Sequence, residues 1–525
     1  MKTKKIILLS LIGIGLTVSS CKKYLDALPD NRAELNTEAK VYKLLVSAYP
    51  QTSYIMVSEL SSDNVDDYGR ANPYTSRFYD ELFRWKDGKE DDNDSPSALW
   101  EACYSAISSA NEALQAIEAM GNPSTLNGAK GEALLARAYG HFLLVNIFSK
   151  HYSKANSATD LGIPYVIEPE RTISVSYKRN SVKEVYDFIQ KDIQEGLPLI
   201  DDTKFGSTPK FHMNTAAANA FAARVALYTQ NWEQAISYAN KAIGTNPTMR
   251  NTTALMNSGA QDPVQMGIFM NASTEKSNLF LQTAVSVVGA YFGPYYEGSR
   301  YSHGALIATT ETWLTTAPWG RISSTGYKPR IYQYGGTNLD KVLAARAPYL
   351  FEYTDPVARI GYPRIVYAPF TVEETMLVRA EANIMLKKYD AAEAEMKRWV
   401  NNTLVNPPAN FGINSINTWA NNLAYFTPRN PTPKKKLNPE FPIEAGTQEN
   451  MLHALLMIRR LETIQLGLRW FDVKRYGIEI ERRVLSAGTD IESLETSSKL
   501  KVQDPRTAIQ IPAMVISSGL EENPR

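Results

Sequence analysis

The chain has 525 residues, with 56 Lys and Arg against 55 Asp and Glu, 44% hydrophobic residues and two cysteines. That length supports a sizeable buried core, the mixed composition excludes a disordered or collagen-like chain, and a mean hydropathy of -0.30 excludes a polytopic membrane protein. Near-zero net charge argues against a nucleic-acid partner, which would need a Lys and Arg surplus to displace counterions.

The chain opens MKTKKIILLSLIGIGLTVSSC: Lys2, Lys4 and Lys5, an uncharged apolar run from Ile6 to Val18, then Ser19, Ser20 and Cys21. The run falls short of the ~20 residues that a spanning helix needs, so residues 1–20 read as a secretory signal peptide. V-S-S-C resembles a bacterial lipobox, which makes Cys21 the expected site of lipid attachment and the first residue of the mature chain. Acyl chains contribute about 0.8 kcal/mol per buried methylene, so two or more would hold the protein on a membrane surface.

From Tyr68 to Trp85 the chain reads YGRANPYTSRFYDELFRW, with six aromatics in 18 residues. Tyr74, Tyr79 and Trp85 are the candidate ligand-binding rings here, because sugar C–H faces stack on rings while hydroxyls need polar partners such as Arg70 and Asn72. The acidic stretch from Asp87 to Pro96 offers Asp91, Asp92 and Asp94 to calcium, yet it lacks the alternating acids and central glycine of an EF-hand and reads as a solvated loop. Cys103 lies in the apolar-periodic LWEACYSAISSANEALQAI and reads as a core residue.

Helical periodicity follows. Ala129 to Tyr152 places Leu134, Ala138, Phe142 and Val145 on one stripe. Ser181 caps the next helix, which closes at Gly196 and Pro198. In TAAANAFAARVALYTQNWEQAISYANKAIGTNP, Ala223, Ala235 and Ala242 recur where two helices must approach closely, Trp232 stands at the turn, and Pro247 stops the pair. These are the offsets of a tetratricopeptide unit. From Tyr291 to Tyr334 the pattern changes to 10 aromatics in 44 residues amid Gly, Ser, Pro and Thr. That loop-rich stretch supplies Tyr296, Trp313 and Trp319 as further candidate ligand-binding rings. VEETMLVRAEANIMLKKYDAAEAEMKRWV then repeats the helix pair with Ala380, Tyr389 and Ala392, and has Trp399 at the place of Ala242. Lys434 to Lys436, set among prolines, reads as a solvated loop.

The fold expected is mainly α: a tetratricopeptide-like helical scaffold with long aromatic-rich insertions. Residues 21–525 are expected to form one unit, with a helical part at 21–250, a loop-rich part at 251–370 and a second helical part at 371–525. His141, His151, His212, His303 and His453 show no ligand spacing, so no metal site and no cofactor is predicted. GxSxG, P-loop, GxGxxG and HExxH motifs are absent, and the chain does not read as an enzyme.

Taken together, several motifs resemble the SusD/RagB family of Bacteroidetes outer-membrane lipoproteins. They are the lipobox followed by CKKYLD; Trp100, Tyr104, Ile107, Ala110 and Asn111 in the spacing W-x3-Y-x2-I-x2-A-N; and GEALLARAYGHFLLVNIFSKHY. ETMLVRAEA, MIRRLETIQLGLRWFDVKRYG and IQIPAMVISSGLEENPR continue the resemblance to the end of the chain. Glu462, Arg469, Trp470, Asp472 and Arg475 fit the family's C-terminal signature, whereas Ile458 and Leu466 depart from it. The resemblance implies a surface lipoprotein that binds oligosaccharide or peptide and delivers it to a SusC-like TonB-dependent outer-membrane transporter, acting as its lid. Two alternatives stand beside it: a lipid-anchored helical-repeat scaffold for other proteins, with its rings packed inward, and a surface hydrolase with two carboxylates converging near those rings.

Overall fold

The computed structural model describes residues 35–89, 92–171, 176–260, 262–321 and 326–525. The signal segment, Cys21 and Asp91 lie outside the described residues. Among the described residues, no helix is long and apolar enough to cross a membrane.

A helical array forms the body. Helix α1 (Pro96–Ala119) begins at Ser95, whose hydroxyl accepts from the Ala98 amide, with Pro96 at the first position where no amide is missed. Helix α2 (Asn127–Phe148) packs on α1 and on α3 (Val182–Gly196). Ser181 and Glu184 close a reciprocal capping box on α3, and the helix ends at Gly196 as the sequence indicates. Helices α4 (Thr215–Tyr228) and α5 (Trp232–Ile243) pack together across the turn 229–231, with Ala223 and Ala235 fully buried at their contact. Against α5 lies α6 (Val372–Met385), then α7 (Tyr389–Thr403), and α6 also meets α8 (Thr447–Thr463). Trp399, at the degenerate repeat position, is buried and donates from its indole to Glu462 Oε2 at 2.9 Å. A large ring fits there because it reaches across to α8.

Helix α2 departs from the expected single stripe. It is buried on nearly every side, Glu132, Arg137 and His141 included, because it lies between α1, α3 and a three-stranded sheet. Arg137 grips Asp192 of α3 at 2.8 and 2.7 Å, and Glu132 Oε1 accepts from the Tyr49 hydroxyl at 2.7 Å. Cys103 is buried as expected, and burial pushes its thiol up.

The insertion between α5 and α6 carries the sheet. Strands β1 (Asn278–Val285), β2 (Leu350–Asp355) and β3 (Ile360–Thr371) lie in the order β1-β3-β2, all antiparallel, with Ala284 opposite Ile365. Near the chain's end, β4 (Ile480–Ala487) and β5 (Asp490–Leu500) form a hairpin, and the two-residue strand Asp66–Asp67 pairs parallel to β4, with Asp67 opposite Val484.

Two sequence expectations are corrected here. Lys434–Lys436 is not a solvated loop throughout: only Lys436 is exposed. Lys435 is buried 2.7 Å from Glu311 and 3.4 Å from Asp63, and Lys434 donates to the Ala420 carbonyl at 2.8 Å. The reason is electrostatic, because buried carboxylates need cations. Glu311 also meets Arg460 at 3.1 Å and Arg483 at 2.8 Å, and Asp63 takes a bidentate grip from Arg469. Likewise, Asp94 is buried rather than solvated, where it accepts from the Ser286 hydroxyl at 2.6 Å and the Val287 amide at 2.8 Å.

Candidate functional site

The two aromatic-rich stretches of the sequence meet in space. Asp66–Asp67 pairs antiparallel with Tyr301–Ser302, and the Tyr68 amide donates to the Arg300 carbonyl at 2.7 Å. Arg300 grips the buried Asp67 with two bonds of 2.9 and 3.0 Å, and Arg84 reaches the same carboxylate at 2.9 Å. Charge-assisted pairs of this kind hold a loop more firmly than neutral bonds do.

On this base the first loop turns at Asn72, whose side chain accepts from the Tyr74 amide at 3.0 Å. This is a local side-chain turn that asparagine favours. The second loop turns at Gly298, where φ is +62° and a Cβ would fall 1.9 Å from the Tyr291 ring, so glycine is required for the chain to pass over that ring. The Lys341 ammonium fixes the turn from below by donating to the carbonyls of Tyr291 at 2.6 Å and Glu297 at 2.7 Å. Burial lowers Lys341 to about 7.

The result is a platform. Tyr74 and Tyr296 stack with centroids 4.7 Å apart and planes 30° apart, and they remain 40% and 46% exposed. Tyr295, also 40% exposed, stands edge-on to Tyr349 at 5.7 Å. Glu297, next in sequence to Tyr296, is exposed as well. Exposed rings next to acceptors and donors form a surface that can stack on apolar faces of a ligand while bonding its polar groups.

The other sequence candidates sit elsewhere. Tyr79 is buried under the platform, donating to Glu297 Oε1 at 2.7 Å and packing edge-on against Tyr291. Trp85 is buried, its indole donating to the Ser61 carbonyl at 2.9 Å and its ring lying 4.2 Å from the Arg482 guanidinium. Trp313 is buried edge-on to His303, and Trp319 lies between Trp399 and Phe411. These four rings are buried where the sequence suggested an exposed binding face, and none belongs to the platform: large apolar surfaces in the loops are drawn into the core of the array. Sequence reasoning missed Tyr295 and Tyr349. The Tyr-Tyr pair at 295–296 was a signal for the first, and Tyr349-Leu-Phe351-Glu-Tyr353, three aromatics in five residues, was one for the second. Among the described residues, no group of three or more His, Cys, Asp or Glu side chains could hold a metal ion.

Comparisons with known proteins agree with this architecture. Residues 23–227 match a SusD-like family model described as "Starch-binding associating with outer membrane". A curated relative, SusD-like protein P2 of Formosa agariphila, is 22% identical over 408 residues, covering 73% of this chain and 72% of that protein. Among solved structures, a SusD superfamily protein from Bacteroides thetaiotaomicron aligns with a TM-score of 0.62 at 18% identity, covering 94% of this chain and 98% of its own. A SusD-like carbohydrate binding protein from Bacteroides vulgatus aligns at 0.59 and 15% identity over 91% of this chain and 96% of its own. Surface glycan-binding protein A from Bacteroides uniformis aligns at 0.56 and 14% identity over 93% and 99%. Residues 23–227 thus match the SusD-like family, and the solved structures share the fold.

Proposed function

From that family match and fold, we propose that the protein binds carbohydrate at the outer membrane, and that it is a lipid-anchored surface protein delivering oligosaccharide to a TonB-dependent transporter that it covers as a lid. The family description and the carbohydrate-binding neighbours support the first part. The observation that carries the reading in this chain is the Tyr74–Tyr296 platform: two rings from distant segments, exposed and stacked, on loops tied down by Asp67, Asn72 and Lys341. A preorganised ring surface binds without having to order its loops first, so shallow contact gives useful affinity. Modest affinity suits a ligand that must leave again for the transporter.

Each part has its own test. A glycan array on the mature chain, followed by calorimetry of the best oligosaccharide with Tyr74→Ala and Tyr296→Ala, tests binding. Loss of affinity in folded variants is expected, and unchanged affinity in both would move the site off this platform. Labelling cells with a fatty-acid analogue tests Cys21, since Cys21→Ser should remove the label. Co-purification from detergent tests the transporter, which should come down with the lipidated protein.

A further inference from the structure

A cavity sharing no lining residue with the platform lies between the short helix Arg77–Phe83 and the segment 506–525. Its volume is about 160 Å³. A cavity of roughly 150 Å³ accommodates benzene, so this one suits a single six-membered ring. Phe78, Trp85, Ile509 and Met514 supply apolar wall, and Met514 is 62% exposed at the mouth.

Polar groups make the cavity selective. Glu81 is 6% exposed; its Oε1 accepts from Arg77 at 2.7 Å, while its buried Oε2 has no hydrogen-bond partner among the described residues. A buried carboxylate oxygen without a donor is an unfavourable arrangement that a ligand hydroxyl would relieve. Four cations, Lys86, Lys89, Arg506 and Arg525, line the same cavity against that single carboxylate. Three of them have carboxylate partners: Lys86 at Asp80 (3.2 Å), Arg506 at Asp504 (2.8 Å) and Arg525 at Asp87 (2.5 Å), none of which lines the cavity.

We propose that this cavity is a separate acidic-sugar site that takes one uronate ring, with a ring hydroxyl donating to Glu81 Oε2, the carboxylate facing Lys86 and Lys89, and the ring's apolar face against Phe78 and Met514. The proposal rests on the carbohydrate-binding reading above for the class of ligand, and on the cavity alone for its place and its charge preference. A pyranose matches the ring-sized space and the missing donor, and a carboxylate matches the cationic lining.

Ligand-observed NMR titration of the purified protein with methyl β-D-glucuronide, with methyl β-D-glucoside as the neutral control, tests it. Glucuronide is expected to bind about tenfold more tightly than glucoside. Met514→Trp, which fills the mouth from an exposed position, should abolish binding, and the Lys86→Gln/Lys89→Gln double variant should weaken it about fivefold. Tyr74→Ala/Tyr296→Ala should leave it unchanged. Glucuronide binding that survives Met514→Trp, or no binding at all, overturns the site. Binding lost in the tyrosine variant and kept in Met514→Trp overturns this site while upholding the platform. Oligosaccharide binding lost from the tyrosine variant with no glucuronide bound anywhere does the same.

Discussion

Lys341 reaches Glu297 not through its carboxylate but through its backbone carbonyl, at 2.7 Å, and a second bond to Tyr291 at 2.6 Å makes the buried ammonium a clamp on the turn that presents Tyr296. Because burial lowers its folded value to about 7 from an ordinary 10.5, the unfolded chain binds the extra proton between those limits. That part of the stability is therefore missing below pH 7 and accrues as pH rises from 7 toward 10.5. Lys341→Met should flatten the rise in Tm over that window relative to the parent, measured by calorimetry. It should also lower oligosaccharide affinity severalfold by loosening Tyr296. A variant with the parent's pH slope would show that the ammonium is not buried.

The tyrosines and tryptophans of the loops should separate cleanly on substitution. Tyr74→Ala and Tyr296→Ala should each weaken oligosaccharide binding by about 1–2 kcal/mol, with little change in Tm. Trp319→Ala removes a buried ring packed on Trp399 and Phe411 and should cost about 3–5 kcal/mol of stability. Denaturant melts alongside calorimetric titrations check both. A Trp319→Ala protein of parental stability would return that ring to the binding face.

This division shows where the sequence was legible. Helical periodicity marks faces, so the Ser181 cap, the burial of Ala223 and Ala235 and the end at Gly196 were all readable. Loops have no such period, and nothing in the sequence tells Tyr74, which points out, from Trp85, which is buried. Likewise, the burial of Lys435 depends on Glu311 and Asp63, contributed by segments far away in the chain. A basic run among prolines looks solvated until its partners are placed. Glu81 and its unsatisfied oxygen were not legible for the same reason: Phe78 and Met514 share a cavity wall only in the folded chain.

Lys435 and Glu311 belong to a buried network in which Lys435, Arg460 and Arg483 hold the Glu311 carboxyl down at about 2, even though desolvation pushes it up. Its contribution is full above the unfolded value near 4.5 and is lost as pH falls through 2. Lys435→Met leaves two carboxylates short of a cation and should cost about 3–5 kcal/mol at pH 7. The variant should lose part of that penalty in acid, where Glu311 takes up a proton more readily than in the parent. Urea melts at pH 7 and pH 4 measure the difference, and equal penalties at both would detach Lys435 from the network.

Asp94 behaves oppositely, because desolvation is its largest influence and only two neutral donors, the Ser286 hydroxyl and the Val287 amide, oppose it. Its carboxyl rises from an ordinary 3.8 to about 7, so the folded chain holds a proton that the unfolded chain releases between those values. The associated stability is fully present below about pH 4 and disappears as pH climbs through 7. Above that point a charge is buried without a cation beside it, at the segment that leads from β1 into the Tyr291 turn. Asp94→Asn keeps an acceptor for the Val287 amide and an amide group for the Ser286 hydroxyl, yet cannot ionise. The variant should therefore gain Tm over the parent from pH 4 to pH 7 and level off above that, a trend that scanning calorimetry at matched ionic strength resolves. A constant offset across that range would mean that Asp94 is already ionised in the folded chain, held by a cation or water that meets the charge.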